Sequence, residues 1–249
     1  MDHIKTSQHT VSITEAGANN ELRPVVLLNL LQDIAAEHAS RIGIGVEDIG
    51  KKGFAWFAAR YHIKIERYPQ WREALTMRSW LSGQQKLLAL RDFQIVDSDD
   101  NIIISASSGW LVIDIEAKKP RRPDRSLGEV PYPEQRALET TFDGLPDVER
   151  ADIEKTFDPM FSQIDQNNHV NSTAYLMWAL ETMPDEIMKS HRPVEIEIAF
   201  KNETLYGHSV TAKTQITTSG SRITGTHLII NNQTNEEAAR VRTQWKMTP

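Results

Sequence analysis

The strongest constraint on this chain is that it describes one folding unit twice. "RYHIKIERYPQWREALTMRSW" (60–80) and "VEIEIAFKNETLYGHSVTAKT" (194–214) share a layout: an alternating strand, a charged corner with an aromatic, then a second alternating strand. Each follows a greasy helical stretch, "PVVLLNLLQDIAAEHASRIG" (24–43) and "STAYLMWALETM" (172–183), and each leads into further strands. Apolar residues at helical spacing (Leu27, Leu30, Leu31, Ile34, Ala35) predict the first helix, with Pro24 suited to its first turn and Gly43 to its end. The helix is apolar over much of its circumference, which predicts that it is wrapped. Pro184 stops the second helix. The predicted strands are 9–17, 55–68, 74–83, 86–98 and 101–115, then 155–164, 192–203, 208–220, 222–232 and 237–247. "DSDDN" (97–101) is a hairpin turn. Strands that follow one another with no helices between them argue for antiparallel sheets, hence an α+β class. Between the copies, "EAKKPRRPDRSLGEVPYPEQ" is rich in proline and charge and has no period. The expected division is an N-terminal half over 1–125, a linker over 126–150 and a C-terminal half over 151–249.

Composition removes several functions. With 249 residues the chain can form a large domain or two smaller ones with real cores. A formal net charge of −6 argues against nucleic-acid binding. The absence of cysteine excludes disulfides, thiolate metal sites and a cysteine nucleophile, and suits a reducing compartment. "MDHIKTSQHTVSITEAG" lacks the apolar core of a secretory signal, and no apolar run approaches the roughly 20 residues that cross a bilayer. A cytoplasmic protein without stable membrane insertion is the expectation.

"FSQIDQNNHVNSTAYLMWALE" carries the chemistry. Asp165, Asn167 and His169 stand just before the second helix. An extended segment would put them on one face; a turn would make them converge. Capping by Asn171 or Ser172, with Asp165 bracing a loop, is the plain alternative. A metal at Asp165 and His169 is the weaker option, because no second histidine cluster supplies further ligands; no metal and no cofactor are expected. Walker, dinucleotide and nucleophile-elbow patterns are missing, and "GIGVEDIG" reads as a turn. Glu203 is usually a solvated corner charge and matters only if the fold brings it to His169. The first copy's helix entry, "NNELRPVVLLNLLQ", has no Asp-Asn-His set, so only the second copy is expected to react. Leu27, Leu30, Leu31, Trp56 and Phe57 either line a substrate pocket in the first half or fill its core.

The chain resembles the acyl-acyl-carrier-protein thioesterases, in a bacterial branch related to the plant chloroplast enzymes. "LLNLLQDIAAEHA", "GFAWFAARYHIKIERYPQWREALTMRSW" and "SASSGWLVIDIEAKKPRRP" resemble the family's N-terminal half, and "DQNNHVNSTAYLMWALE" its most telling motif. The resemblance implies a tandem (double) hotdog, each half a long helix wrapped by an antiparallel β-sheet. It implies hydrolysis of fatty acyl-acyl carrier protein to free fatty acid and holo-carrier, in fatty acid biosynthesis. Asp165, Asn167 and His169 match the family's proposed catalytic set; Glu203 matches a catalytic glutamate less closely, with spacing after it one residue different. Plant members carry a cysteine directly after that glutamate; here the residue is Thr204.

The implied partner is acyl carrier protein bearing a phosphopantetheine-linked acyl chain. The basic run Lys118, Lys119, Arg121, Arg122 and Arg125 either steers that acidic partner or is a solvated linker. Water activated by His169 and Glu203 and direct attack by Asp165 are both open. The alternatives to a carrier-protein thioesterase are an acyl-CoA thioesterase, a dehydratase on a similar core, and a non-catalytic acyl- or carrier-binding module. A monomer and a homodimer both fit a tandem repeat.

Overall fold

The computed structural model describes residues 3–128, 130 and 132–248. Glu129 and Pro131 of the expected linker, and the extreme ends of the two expected halves, lie outside the described residues. The chain forms two compact units, one ending at Phe142 and the other beginning at Asp143.

The first unit runs β1 (Lys5–Thr10), α1 (Pro24–Arg41), α2 (Val46–Gly50), β2 (Phe54–Ile65), β3 (Ala74–Gln85), β4 (Leu88–Val96), β5 (Ile102–Asp114), β6 (Lys119–Arg121) and α3 (Pro123–Ser126). Its antiparallel sheet has the order β1-β3-β4-β5-β2, with β6 added beside β5. α1 buries Leu27, Leu28, Leu31, Ile34, Ala35, His38 and Ala39, an i, i+3/i+4 stripe, against that sheet. Each fully buried leucine here stabilises the unit by about 1.5–3 kcal/mol. Asn29, Asp33, Ala36, Glu37 and Ser40 stay exposed on its other face. It starts at Pro24 and ends with Gly43 at φ +75°, the left-handed cap that glycine adopts freely.

The second unit runs β7 (Ile153–Phe157), a 3₁₀ turn (Phe161–Gln163), α4 (Ser172–Glu181), α5 (Asp185–Ser190), β8 (His191–Phe200), β9 (Val210–Ser219), β10 (Arg222–Asn231) and β11 (Glu236–Met247). Its antiparallel sheet has the order β7-β9-β10-β11-β8. Counted from the start of each unit, both orders are first, third, fourth, fifth, second strand. The repeat inferred from the letters is therefore a repeat of topology, and each unit is a hotdog: one main helix laid on an antiparallel sheet. α4 buries residues around most of its circumference, with Trp178 stacked on Phe157 (6.1 Å) and edge-on to Tyr175 (5.3 Å).

Several local expectations need correction. The first strand is "KTSQHT", not 9–17: an edge strand of polar residues carries no apolar alternation, while Ser12 turns the chain by donating its N–H to Glu15 Oε2 (2.8 Å). β7 stops at Phe157, ahead of Pro159. "GIGVEDIG" contains the short helix α2, because Asp48 Oδ2 accepts the Gly45 N–H (2.9 Å) across its first turn. α5 follows Pro184, where only a helix stop was foreseen.

Residues 132–142, within the stretch expected as a linker, are fastened to the first sheet. Asp92 on β4 is fully buried. One of its oxygens accepts from Ser82 Oγ (2.9 Å) and Ser107 Oγ (2.7 Å), the other from Arg136 Nε (2.8 Å) and the Ala137 N–H (2.7 Å). Trp80 Nε1 donates to the Gln135 carbonyl (3.1 Å). A buried carboxylate so fully paired ties the strap to the sheet.

Candidate active site

Asp165 to Asn168 form a tight turn rather than an extended face. Asp165 Oδ1 accepts the backbone N–H groups of Asn167 (2.8 Å) and His169 (3.2 Å). The Asp165 N–H bonds the His169 carbonyl (2.8 Å), and Asn168 takes φ +63°, which asparagine tolerates better than most side chains. Val170 then donates to the Thr204 carbonyl (2.8 Å), and His169 pairs with Leu205 in a single bridge. That cross-link joins the turn to the loop after β8 and carries Glu203 to the histidine: His169 Nε2 lies 3.3 Å from Glu203 Oε2. Asn171 caps α4, its Oδ1 accepting from Thr173 N and Oγ1 (both 2.9 Å).

The environment is polar at the surface and apolar beneath. Asn167 is exposed, and its side-chain amide has no hydrogen-bond partner among the described residues. Side chains of His169 and Glu203 are 35% and 61% exposed. Below them Tyr175 is buried against Thr204; burial raises its hydroxyl pKa, hydrogen bonding to Thr204 opposes the rise, and the charges of Glu203 and Asp165 add to it. Met160, Phe161, Leu205 and Tyr206 are exposed, with Phe161 and Tyr206 edge to face at 5.7 Å. Asp165, His169 and Glu203 thus converge within one unit, through a turn that periodicity could not specify.

The first unit contains the same turn with different chemistry. Bridges Ala16–Leu22 and Glu21–Gln70 correspond to Ile164–Val170 and His169–Leu205. Gly17 N–H to Glu21 O (2.8 Å), Asn20 N–H to Gly17 O (3.0 Å) and Leu22 N–H to Pro69 O (2.8 Å) repeat the second unit's pattern, and Asn20 has φ +62°. Gly17 stands where the second turn has Asp165, Asn19 where it has Asn167, and Glu21 where it has His169. The backbone frame is duplicated; the aspartate and histidine are not.

Of the expected pocket residues, Leu27 and Leu31 are fully buried on the inner face of α1, while Leu30, Trp56 and Phe57 are partly buried. Trp56 donates Nε1–H to the Ile44 carbonyl (2.8 Å) and packs on a cluster of Ala39, Ile44, Ile49 and Leu81. A cleft of about 480 Å³ opens next to that cluster, walled by Leu81, Ala89, Leu127, Val130 and Tyr132 among others. None of the five expected residues lines it. Within the basic run, Arg121 pairs with Asp114 (2.7 Å) and Arg122 with Asp124 (2.9 Å). No helix of the described residues is long and apolar enough to cross a membrane.

Comparison with known proteins gives one family across the chain. The model of the acyl-ACP thioesterase N-terminal domain matches residues 3–127 and that of the C-terminal domain residues 147–247. The chain is 23% identical over 270 residues to oleoyl-acyl carrier protein thioesterase 2 of Arabidopsis thaliana, covering 93% of this chain and 74% of that protein. It is 24% identical over 254 residues to the dodecanoyl-[acyl-carrier-protein] hydrolase of Umbellularia californica, covering 93% and 65%. Among solved structures, an acyl-ACP thioesterase from Bacteroides thetaiotaomicron superposes with a TM-score of 0.83 at 24% identity, covering 98% of each chain. The 12:0-ACP thioesterase from Umbellularia californica gives 0.86 at 22%, covering 98% of this chain and 94% of that one. At such identities the superpositions establish the fold.

Proposed function

The chain belongs to the acyl-acyl-carrier-protein thioesterase family, whose members hydrolyse fatty acyl thioesters, and from that premise we propose that Asp165, Asn167, His169 and Glu203 perform the hydrolysis here. The observation that carries this reading is the 3.3 Å contact between His169 Nε2 and Glu203 Oε2. Glu203 accepts the Nε2–H and fixes the tautomer, leaving Nδ1 as the base. Nδ1 takes a proton from water as the water oxygen bonds to the thioester carbon. The C–S bond then breaks, and the proton passes to the departing phosphopantetheine sulfur. The products are a free fatty acid and holo-acyl carrier protein.

The unpaired Asn167 amide is our choice to hold the thioester oxygen as its charge develops. The cap at Asn171 already occupies the Thr173 N–H, so that donor of the α4 N-terminus is taken. Asp165 acts by building the turn. Its Oδ1 accepts two backbone N–H groups, which makes it a poor nucleophile and favours direct attack by water over an anhydride. Single-turnover hydrolysis in ¹⁸O-water separates the two; label in the Asp165 carboxylate contradicts the water route.

We assign carrier docking to the exposed apolar group Met160, Phe161, Leu205 and Tyr206 around the histidine rather than to the basic run, where two of the arginines already pair with aspartates. The acyl-chain pocket is assigned to the N-terminal half (1–125), and the compartment to the cytoplasm. Turnover of matched acyl-carrier-protein and acyl-CoA substrates tests the reading: kcat/KM is expected to favour the carrier-bound form, and a preference for the CoA form contradicts it.

A further inference from the structure

The loop that carries Glu203 to the histidine has a second anchorage. It runs between β8, which ends at Phe200, and β9, which starts at Val210, and the hairpin joining β10 to β11 holds it at three points. At the near end the N–H groups of Lys201 and Asn202 both donate to the Ala238 carbonyl (2.9 and 3.3 Å), and Asn202 Nδ2 donates to the Glu237 carbonyl (2.9 Å). At the far end Asn232 donates its N–H to the Ser209 carbonyl and its Nδ2–H to Ser209 Oγ (both 3.0 Å). Between them His208 Nδ1 lies 3.2 Å from Asn231 Nδ2. His208 donates its own N–H to the Leu205 carbonyl (3.1 Å), and Leu205 is the residue bridged to His169.

The amide fixes the chemistry of that middle link. Asn231 is fully buried, and its Oδ1 accepts the N–H groups of Gln233 (3.0 Å) and Thr234 (3.4 Å), closing the hairpin turn. Turning the amide over would set its NH₂ against those two donors, so Nδ2 is the atom that faces His208. An amide nitrogen only donates; His208 Nδ1 therefore accepts, with the ring proton on Nε2. The first unit has the same clamp in charged form. There Asp97 closes the β4–β5 turn, its Oδ1 accepting from the N–H groups of Asp99 (3.0 Å) and Asn101 (2.9 Å). Glu73 donates its N–H to the Gln70 carbonyl (3.0 Å) as His208 does to Leu205, after a left-handed residue in each case, Arg72 (φ +70°) and Gly207 (φ +85°). Arg67 joins the two carboxylates, 2.6 Å from Glu73 Oε1 and 3.0 Å from Asp97 Oδ2. Counted from Pro69 and Thr204, whose carbonyls anchor the two turns, Asn202 and His208 stand where the first unit has Arg67 and Glu73. Three charges hold the loop that lacks the reactive residues. One amide-to-imidazole bond does that work beside Glu203.

Glu203 needs such support. Its side chain is mostly exposed and meets His169 at one oxygen, so water competes for the carboxylate and the backbone must keep it at the ring. A displacement of about 1 Å at a reacting group can cost about 10²-fold in rate. We propose that His208 is a positioning residue for the hydrolysis: by accepting the Asn231 amide at Nδ1 it holds the Leu205–His208 turn on the β10–β11 hairpin, and so fixes Glu203 against His169. The inference rests on the assignment of Glu203 to the hydrolysis. The link uses the acceptor at Nδ1 and nothing else of the imidazole. Asparagine carries an acceptor, Oδ1, at the same place on its side chain and is able to replace it.

Steady-state turnover of a fatty acyl-carrier-protein substrate by His208→Leu, His208→Asn, Glu203→Gln and the double variant His208→Leu/Glu203→Gln tests the assignment. His208 is half-buried on a loop, so the variants are expected to fold, with circular dichroism as the check. His208→Leu is expected to lose about tenfold or more in kcat, and His208→Asn to stay within about threefold of the unaltered protein. Glu203→Gln is expected to lose about 10²-fold or more. With the carboxylate gone, adding His208→Leu is expected to cost less than about twofold further, because the two residues act as one. A full second loss on top of Glu203→Gln places the action of His208 elsewhere and overturns the inference. An unchanged kcat in His208→Leu, a rise in KM alone, or equal losses in His208→Leu and His208→Asn overturn it as well, and each leaves the assignment of Glu203 standing. Unaltered turnover by Glu203→Gln removes that assignment, and this inference with it.

Discussion

Asp165 has a geometric task that separates two chemistries. Its Oδ1 holds two backbone N–H groups, and an asparagine oxygen at the same place does so equally well. Asp165→Asn is therefore expected to keep kcat within about tenfold, whereas Asp165→Ala, which deletes the acceptor, is expected to lose about 10²-fold or more, in line with what positioned catalytic groups contribute. Equal losses in the two variants would show that the charge itself reacts. Asn167 differs, because its side-chain amide has no hydrogen-bond partner among the described residues. Asn167→Asp places a like charge where the oxyanion develops, and kcat is expected to fall about 10²–10³-fold with little change in KM. A rise in KM alone would make Asn167 a binding residue. Thr204, next to Glu203, is fully buried, and its carbonyl accepts the Val170 N–H.

At the scale of elements, the turn before each main helix is one backbone device used twice, with Gly17 and Glu21 in one copy and Asp165 and His169 in the other. Two substitutions test what holds the reactive copy. Asn171→Ala removes the cap of α4 and is expected to cost about 1 kcal/mol, read as a lower denaturant midpoint at unchanged slope. Asn168→Val forces a β-branched residue to φ +63° and is expected to cost about 1–3 kcal/mol and lower kcat with it, whereas Asn168→Gly is expected to be close to neutral. If Asn168→Val leaves activity intact, the turn is not the frame of the site. The strap over the first sheet has its own test. Arg136→Met leaves the buried Asp92 without its cation and is expected to destabilise by about 3–5 kcal/mol; a loss under 1 kcal/mol would make the strap incidental.

At the scale of the molecule, each unit has a neutral histidine in its core, and stability should depend on pH accordingly. Burial lowers the pKa of His227 to about 3, and burial with neighbouring positive charge lowers that of His38 to about 4, from an ordinary 6.5. Between 6.5 and those values the unfolded chain binds protons that the folded chain refuses, so stability is complete above pH 6.5 and is lost as pH falls. The expected slope is at most about 1.4 kcal/mol per pH unit for each group. His227→Gln is expected to reduce the slope of unfolding free energy between pH 6 and 4; an unchanged slope contradicts the buried neutral imidazole.

Much of this organisation was legible in the letters. The central strands are long, apolar and bounded by turns, so they announced themselves, and the two shared layouts exposed the repeat. β1 did not, because a polar edge strand takes its structure from its neighbour rather than from its own pattern. Asp165, Asn167 and His169 were visible as a cluster, but their convergence depends on side-chain-to-backbone bonds that no period encodes. Glu203 joins them through the cross-links from Val170 to Thr204 and from His169 to Leu205, thirty-odd residues apart in sequence. The most direct measurement of the central claim is turnover of a fatty acyl-carrier-protein substrate by His169→Ala, with circular dichroism confirming the fold. The account predicts a fall in kcat of at least about 10²-fold; hydrolysis at the unaltered rate would contradict it.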